Sequence, residues 1–206
     1  MLTITERFRE ALRHDAPDFR VELNQQMMAT LSKYYELLFK WNDRLHLVAP
    51  SSPEEFAARH VLESLMLLPH LKADERLVDV GSGAGLPAIP CLIARRDVNA
   101  TLIEASTRKS VFLREALRVL GIQERAKVIA GRFEKIEKIA ADVFACRALD
   151  RFEKLLPKLI EWAPASSKVA VFVGEELKTQ VEKRWSARSC ERIPKSDRRF
   201  LMIIEL

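Results

Sequence analysis

Two different periods of hydrophobic and polar positions divide the chain. Up to residue 75 the apolar positions recur at helical spacing. In "DFRVELNQQMMATLSKYYELLFKW", Leu23, Met27, Leu31, Tyr34, Leu38 and Trp41 fall at three- and four-residue steps, which predicts an amphipathic helix. A second helix is predicted after Ser52 as N-cap. Pro53 would take its first position, Glu55 would complete a capping box, and Phe56, Leu62, Leu65 and Leu68 would share one face before a stop near Pro69. These stripes predict packing onto the rest of the protein. From residue 76 the pattern becomes short apolar runs, "RLVDVG", "ATLIEA", "AKVIAG", "DVFACRA" and "KVAVFVG", separated by segments of helical length. That alternation predicts βα units and a mostly parallel sheet, with residues 108–120 as a crossover helix ended by Gly121. "ARSCERIP" and "RFLMIIEL" have only a polar turn between them and predict an antiparallel ribbon. The expected organisation is a helical region over 1–75 packed on an α/β domain over 76–206.

Composition narrows this picture without redrawing it. A length of 206 residues with 48% hydrophobic and 31% charged content suits a globular chain that buries a core without disulfides or metal. Cys91, Cys146 and Cys190 are widely spaced and form no C-x-x-C pair, so no metal knot is expected and a reducing, cytoplasmic setting is. The opening "MLTITERFRE" lacks the apolar core of a secretory signal, and no run reaches the length of a membrane span. The net charge of +5 permits a nucleic-acid partner but does not demand one. Nothing in the helical stripes requires a second copy, so a monomer is expected.

The candidate chemistry lies in "LVDVGSGAGLPAIP", a glycine turn between a strand and a helix. A phosphate-binding P-loop needs Lys and then Ser or Thr at its end, and this turn runs into Leu86 and Pro87. A dinucleotide fingerprint needs a third glycine where Leu86 stands. The spacing here is G-x-G-x-G at Gly81, Gly83 and Gly85, with Asp79 just before it. A carboxylate there repels pyrophosphate and suits a cationic amino group, as in S-adenosylmethionine. The glycines let backbone approach such a ligand closely. Glu104 ends the second strand, where an acid can hold ribose hydroxyls; dinucleotide enzymes use the same device. In "GRFEKI", Phe133 could lie beside an adenine and Glu134 near its amino group. The closing ribbon resembles that of Rossmann-like class I methyltransferases, whose seven-stranded, mostly parallel sheet has an antiparallel final strand, and together these features favour such a methyltransferase over a dinucleotide enzyme.

Read end to end, the chain resembles the RsmG (GidB) family of 16S ribosomal RNA methyltransferases. The resemblance rests on "FKWNDRLHLV", "ARHVLESL", "DVGSGAGLPAIP", "IEASTRKSVFLRE", "GRFEKI" and "CRAL", in that order. It implies a cofactor pocket lined by Gly81, Gly83, Leu86, Glu104, Ala105, Phe133, Glu134 and Arg147. It also implies methyl transfer to N7 of a guanine in a single-stranded loop of 16S rRNA. Guanine N7 carries an in-plane lone pair, so alignment and charge control are needed rather than a base. Arg147 is the residue expected to orient the guanine; a plainer role would be an ion pair with Asp142, Asp150 or Glu134. Arg108, Lys109, Arg199 and His60 are the candidates for contacts with RNA.

Some positions depart from the family. Val173 stands where it usually has lysine, with Lys168 and Lys178 nearby in sequence; Ala88 replaces a glycine, and His46 and Val48 replace Asn and Thr. The Val173 change keeps open another RNA or a small molecule as substrate, and a non-catalytic RNA-binding relative is a further alternative. Residues 183–199 carry seven Lys or Arg, and Arg108, Lys109, Arg114 and Arg118 form a second basic segment. Either could contact phosphates, with Trp185 stacking on a base, or could be an ordinary solvated face.

Overall fold

A computed structural model describes residues 2–147 and 152–206. Among the described residues, α1 (Ile4–Asp15), α2 (Gln25–Leu45), α3 (Pro53–Phe56) and α4 (Glu63–Leu65) are the α-helices before the first strand. Then follow β1 (Arg76–Val80), α5 (Ala88–Ala94), β2 (Asn99–Glu104), α6 (Thr107–Val119), β3 (Ala126–Ala130), β4 (Val143–Arg147), α7 (Phe152–Trp162), β5 (Lys168–Gly174), α8 (Glu175–Arg184), β6 (Ala187–Arg192) and β7 (Arg199–Glu205). Side-chain caps set the helix starts. Asn24 accepts from the Met27 amide at 2.9 Å and so begins α2 at Gln25, just after Leu23, the first position of its hydrophobic stripe. Ser52 accepts from the Glu55 amide at 3.0 Å, but the Glu55 carboxylate turns to Arg59 at 2.5 Å, so the expected capping box is only half made. The segment after α3 also departs from one α-helical face. Residues Ala57–Leu62 are π-helical and Leu68–His70 form a 3₁₀ turn, which leaves Leu68 only half-buried.

The seven strands form one sheet in the order β3-β2-β1-β4-β5-β7-β6. β1 to β5 are parallel, and β7 runs antiparallel to both β5 and β6. Both faces of the central strands are covered, which is why β1, β2, β4, β5 and β7 read as largely apolar runs, whereas the edge strands β3 and β6 are partly exposed. Leu77, Ala145, Phe172 and Leu201 face α1–α6, and their neighbours Val78, Cys146, Val171 and Met202 face α7 and α8. On the first side, the N-terminal helices and the sheet share one continuous cluster. Phe8 stacks on Tyr35 at 4.3 Å, and Phe56 meets Tyr35 edge-on at 5.3 Å. A fully buried aromatic of this kind contributes about 1.5–3 kcal/mol by burial.

The register places the chemistry. Val80 pairs with Ile103 of β2 on one side and with Cys146 of β4 on the other. The next residues, Gly81, Glu104 and Arg147, therefore leave three adjacent strands at one level. This is the carboxyl edge, where open α/β sheets bind ligands.

Candidate active site

The turn leaving β1 is a tight backbone knot. The amides of Gly81 and Ser82 both donate to the Ile103 carbonyl, at 2.9 and 3.0 Å. Gly83 and Gly85 hold φ of +54° and +91°, a region that favours glycine. A Cβ on Gly85 would stand 2.3 Å from Ile89 Cδ1, so the turn and α5 pack closer than any side chain allows. At Gly83 the same test meets only the Gly81 carbonyl, 3.8 Å away, so this peptide lies open to a ligand. Leu86 and Ala88 are buried where the turn enters α5; the methyl group of Ala88 fills space beneath the turn. Sequence reasoning missed a support from α2. The buried Tyr34 hydroxyl donates to the Ala84 carbonyl at 2.8 Å, tying the helical region to the middle of the turn.

Two acids flank this knot. Asp79 is 0% exposed, and neither carboxylate oxygen has a hydrogen-bond partner. Burial pushes its pKa up to about 7, with nearby Glu104 adding to the rise. The Ser82 hydroxyl and the Ala88 amide oppose it, yet neither reaches bonding geometry with the carboxylate. A buried carboxyl group without a protein partner has the chemistry to receive a ligand's cationic group. Glu104 accepts from the Gly83 amide at 2.8 Å and from the Ser106 amide at 2.7 Å. A carboxylate offers about four lone-pair directions, so acceptor capacity remains for hydroxyl donors. The donor set therefore fits an amino-acid end at Asp79 and a ribose at Glu104. Ala105 and Glu134 are exposed on the same edge. Phe133 differs from the expectation of a ring free to lie along an adenine: it is 4% exposed, and its ring meets Trp162 edge-on at 5.7 Å in the core beneath α7.

Arg147 closes β4 beside the turn, and its guanidinium is held from the helical region. Its Nη2 donates to the Arg59 carbonyl at 2.5 Å and to His60 Nδ1 at 3.2 Å, while Nη1 donates to the His60 carbonyl at 3.4 Å. Glu63 Oε1 lies 3.4 Å from Nη2, and the Phe172 ring sits 5.9 Å from the guanidinium carbon. The other oxygen of Glu63 bonds Arg199. The ion-pair partner is thus Glu63, a residue the sequence did not single out. Asp142 instead pairs with Arg76 at the opposite end of the sheet, Glu134 is exposed, and Ala148 and Asp150 lie outside the described residues. Burial first, then Arg147, Arg59 and Arg199, hold the His60 imidazole down at about 3.

The basic candidates separate on inspection. Arg108 is exposed and Lys109 half-exposed at the start of α6, on the carboxyl edge. Much of the 183–199 run is neutralised: Arg188 pairs with Glu205, Arg192 with Asp197, and Lys195 with Asp15 and Asp18. Trp185 is half-buried against the α7–α8 cluster, beneath Arg184. Val173 is 4% exposed and faces that same cluster, away from Arg147. Lys168 bonds Glu75 and the His70 carbonyl at the far end of β5, and Lys178 sits over the Phe200 ring, so neither stands in for a lysine beside Arg147. A concavity lined by Arg76, Asn99, Gln123 and Lys127 opens at the amino ends of the strands, away from this edge.

A sheet of this order, with an open glycine turn after β1 and acids closing β1 and β2, defines a class I S-adenosylmethionine-dependent methyltransferase. The family model GidB, rRNA small subunit methyltransferase G, matches residues 27–200, and the chain belongs to this family of rRNA methyltransferases. It is 37% identical over 140 residues to the ribosomal RNA small subunit methyltransferase G of Neisseria meningitidis, covering 68% of this chain and 67% of that one. The corresponding protein of Chromobacterium violaceum is 34% identical over 155 residues, covering 72% and 73%. Among solved structures, an RNA methyltransferase from Salinibacter ruber in complex with S-adenosyl-L-homocysteine is similar in fold. It has a TM-score of 0.57 and 19% identity, over 77% of this chain and 94% of that one. A SAM-dependent methyltransferase from Aquifex aeolicus gives a TM-score of 0.58 at 15% identity, over 82% and 96%. Among the described residues no helix is long and apolar enough to cross a membrane.

Proposed function

We propose that the protein methylates N7 of a guanine in a loop of 16S rRNA, acting as a cytoplasmic monomer on that RNA or on the small ribosomal subunit. The observation that carries this reading is the guanidinium of Arg147, fixed beside the glycine turn by the Arg59 carbonyl and by His60. Guanine N7 needs no deprotonation, so such a mouth suffices for transfer to it. The bound cofactor supplies an electrophilic methyl group on a sulfonium.

The chain's own residues do the rest. Asp79 receives the cationic amino group, Glu104 the ribose hydroxyls, and the turn of Gly81, Gly83, Gly85 and Leu86 shapes the seat. Ala105 and Glu134 border the adenine, and Phe133 supports that wall from the core. The N–H groups of Arg147 not spent on Arg59 and His60 orient the guanine, whose ring takes up positive charge as N7 is alkylated. Arg108, Lys109, Arg199 and His60 line the approach of the RNA. The buried Val173 side chain touches no part of this mouth, so it lends no support to a different substrate.

The test uses small ribosomal subunits from a bacterial strain lacking this methylation, incubated with the protein and methyl-labelled cofactor. A single 7-methylguanosine in 16S rRNA is expected. Arg147→Ala should retain cofactor affinity within about threefold and lose transfer. Label elsewhere, or an active Arg147→Ala, would overturn the reading.

A further inference from the structure

We propose that Glu63 is a positioning residue for methyl transfer, holding the Arg147 and Arg199 guanidiniums in one fixed arrangement over the carboxyl edge of the sheet. This rests on the reading that Arg147 meets the methyl acceptor.

The local backbone builds the arrangement. In an α-helix the Glu63 amide would bond the Arg59 carbonyl, four residues back. Here the preceding turn is π-helical, and that amide bonds the Ala58 carbonyl instead, five residues back. The skipped Arg59 carbonyl is the one that accepts from Arg147 at 2.5 Å. One extra residue in the turn thus frees an acceptor for Arg147 and places the next side chain, Glu63, against the same guanidinium. π-turns inside helices recur at functional sites, and this one has an assignable structural effect.

The charges match that role. Glu63 is 2% exposed, and its two oxygens divide between two arginines from different strands: Oε1 to Arg147 at the end of β4 and Oε2 to Arg199 at the start of β7. Arg199 also donates from Nε to the Ser196 hydroxyl at 3.1 Å. With Arg59 alongside, three guanidiniums gather around one buried carboxylate, while Arg59 keeps an exposed partner in Glu55. Without the central anion, Arg147 and Arg199 would repel each other and turn toward solvent. With it, both are immobilised before any RNA arrives. Arg199 remains a quarter exposed on its side chain and can still meet a phosphate, whereas Arg147 is at 13% and faces inward.

The experiment compares Glu63→Gln and Glu63→Asp with the parent protein. The readouts are melting temperature, cofactor affinity, and kcat and KM on undermethylated small subunits. Glu63→Gln keeps shape and hydrogen bonding but loses the charge; kcat should fall at least tenfold, with cofactor affinity within about threefold. Glu63→Asp should recover a large part of kcat. A second readout needs no activity: arginine Nε–H signals of ¹⁵N-labelled protein, assigned with Arg147→Lys and Arg199→Lys. The Arg147 and Arg199 signals should be slow to exchange in the parent and fast in Glu63→Gln. A Glu63→Gln protein that melts lower but keeps the parent kcat and protected arginine signals would overturn the proposal. If the parent itself modifies no 16S guanine, the substrate reading fails, and the exchange measurement still decides the role of Glu63.

Discussion

The two glycines of the turn should separate folding from cofactor binding when each is replaced by alanine. At Gly85 the φ of +91° is unfavourable for any L residue and costs about 1–3 kcal/mol. The new Cβ would also stand 2.7 Å from Ile89 Cγ1 and 3.3 Å from Leu113 Cδ2. Both neighbours are fully buried, and Cγ1 is not a free chain end, so the strain has no outlet. Overpacking of this kind adds about 1–3 kcal/mol. The combined loss, about 2–6 kcal/mol, corresponds to a fall in melting temperature of roughly 5–20 °C for a chain of this length. At Gly83 no neighbour is closer than 3.8 Å, so only the backbone cost of about 1–2 kcal/mol applies. There the methyl group would enter the cofactor's seat. Gly83→Ala should therefore melt within a few degrees of the parent yet bind S-adenosylmethionine at least tenfold more weakly. Thermal denaturation followed by circular dichroism, with calorimetric titration of the cofactor, reads both quantities. A Gly85→Ala protein melting within about 2 °C of the parent would falsify the argument from φ and contact distance.

Two further outcomes follow from neighbouring groups. The folded pKa of Asp79, about 7, lies above the ordinary 3.8, so its contribution to stability is complete below the unfolded value and is lost as pH rises through about 7. Denaturant titrations at about pH 5 and about pH 8 should show Asp79→Asn losing less stability than the parent over that interval. Cofactor affinity should rise with pH in the parent, as the carboxylate ionises for the amino group, and stay level in Asp79→Asn. A parallel rise in both proteins would remove Asp79 from amino-group binding. Tyr34→Phe deletes the 2.8 Å bond and leaves the Ala84 carbonyl unpaired, at about 1–3 kcal/mol. Weaker cofactor binding alongside a lower melting temperature is the expected pair, and unchanged values for both would show that the turn stands without α2.

The parts of this molecule that were legible in its sequence are those governed by local pattern. β1, β2, β4 and β5 announced themselves because burial on both faces forces apolar runs; β3, at the sheet edge, and the ribbon were marked by their short extended segments between turns. The glycine turn was legible because its spacing excludes other ligands through residues within it. Features that depend on distant partners were hidden. Glu63 lay inside the matched segment "ARHVLESL", but nothing local gives it a task; its contacts come from a π-turn and two arginines far along the chain. The run from Lys183 to Arg199 could be read either as an RNA-facing surface or as a solvated face, because some of its counter-charges come from α1 and from the neighbouring strand. Phe133 lay beside the right strand end, but sequence position does not say which way a ring turns, and here Trp162 takes it.

The bond between Arg199 and Glu63 joins residues 136 positions apart, and those holding Arg147 span 87 and 88. Contacts of such separation form late, because the whole intervening chain must be ordered before they can close. While this protein is being synthesised, its glycine turn and both acids leave the ribosome long before Arg199 does. A nascent chain extended past β4 carries the turn, both acids and Arg147 but not yet the second arginine that Glu63 holds. The arrangement around Glu63 is therefore complete only once synthesis has carried the chain into β7, which makes it a report on completed folding.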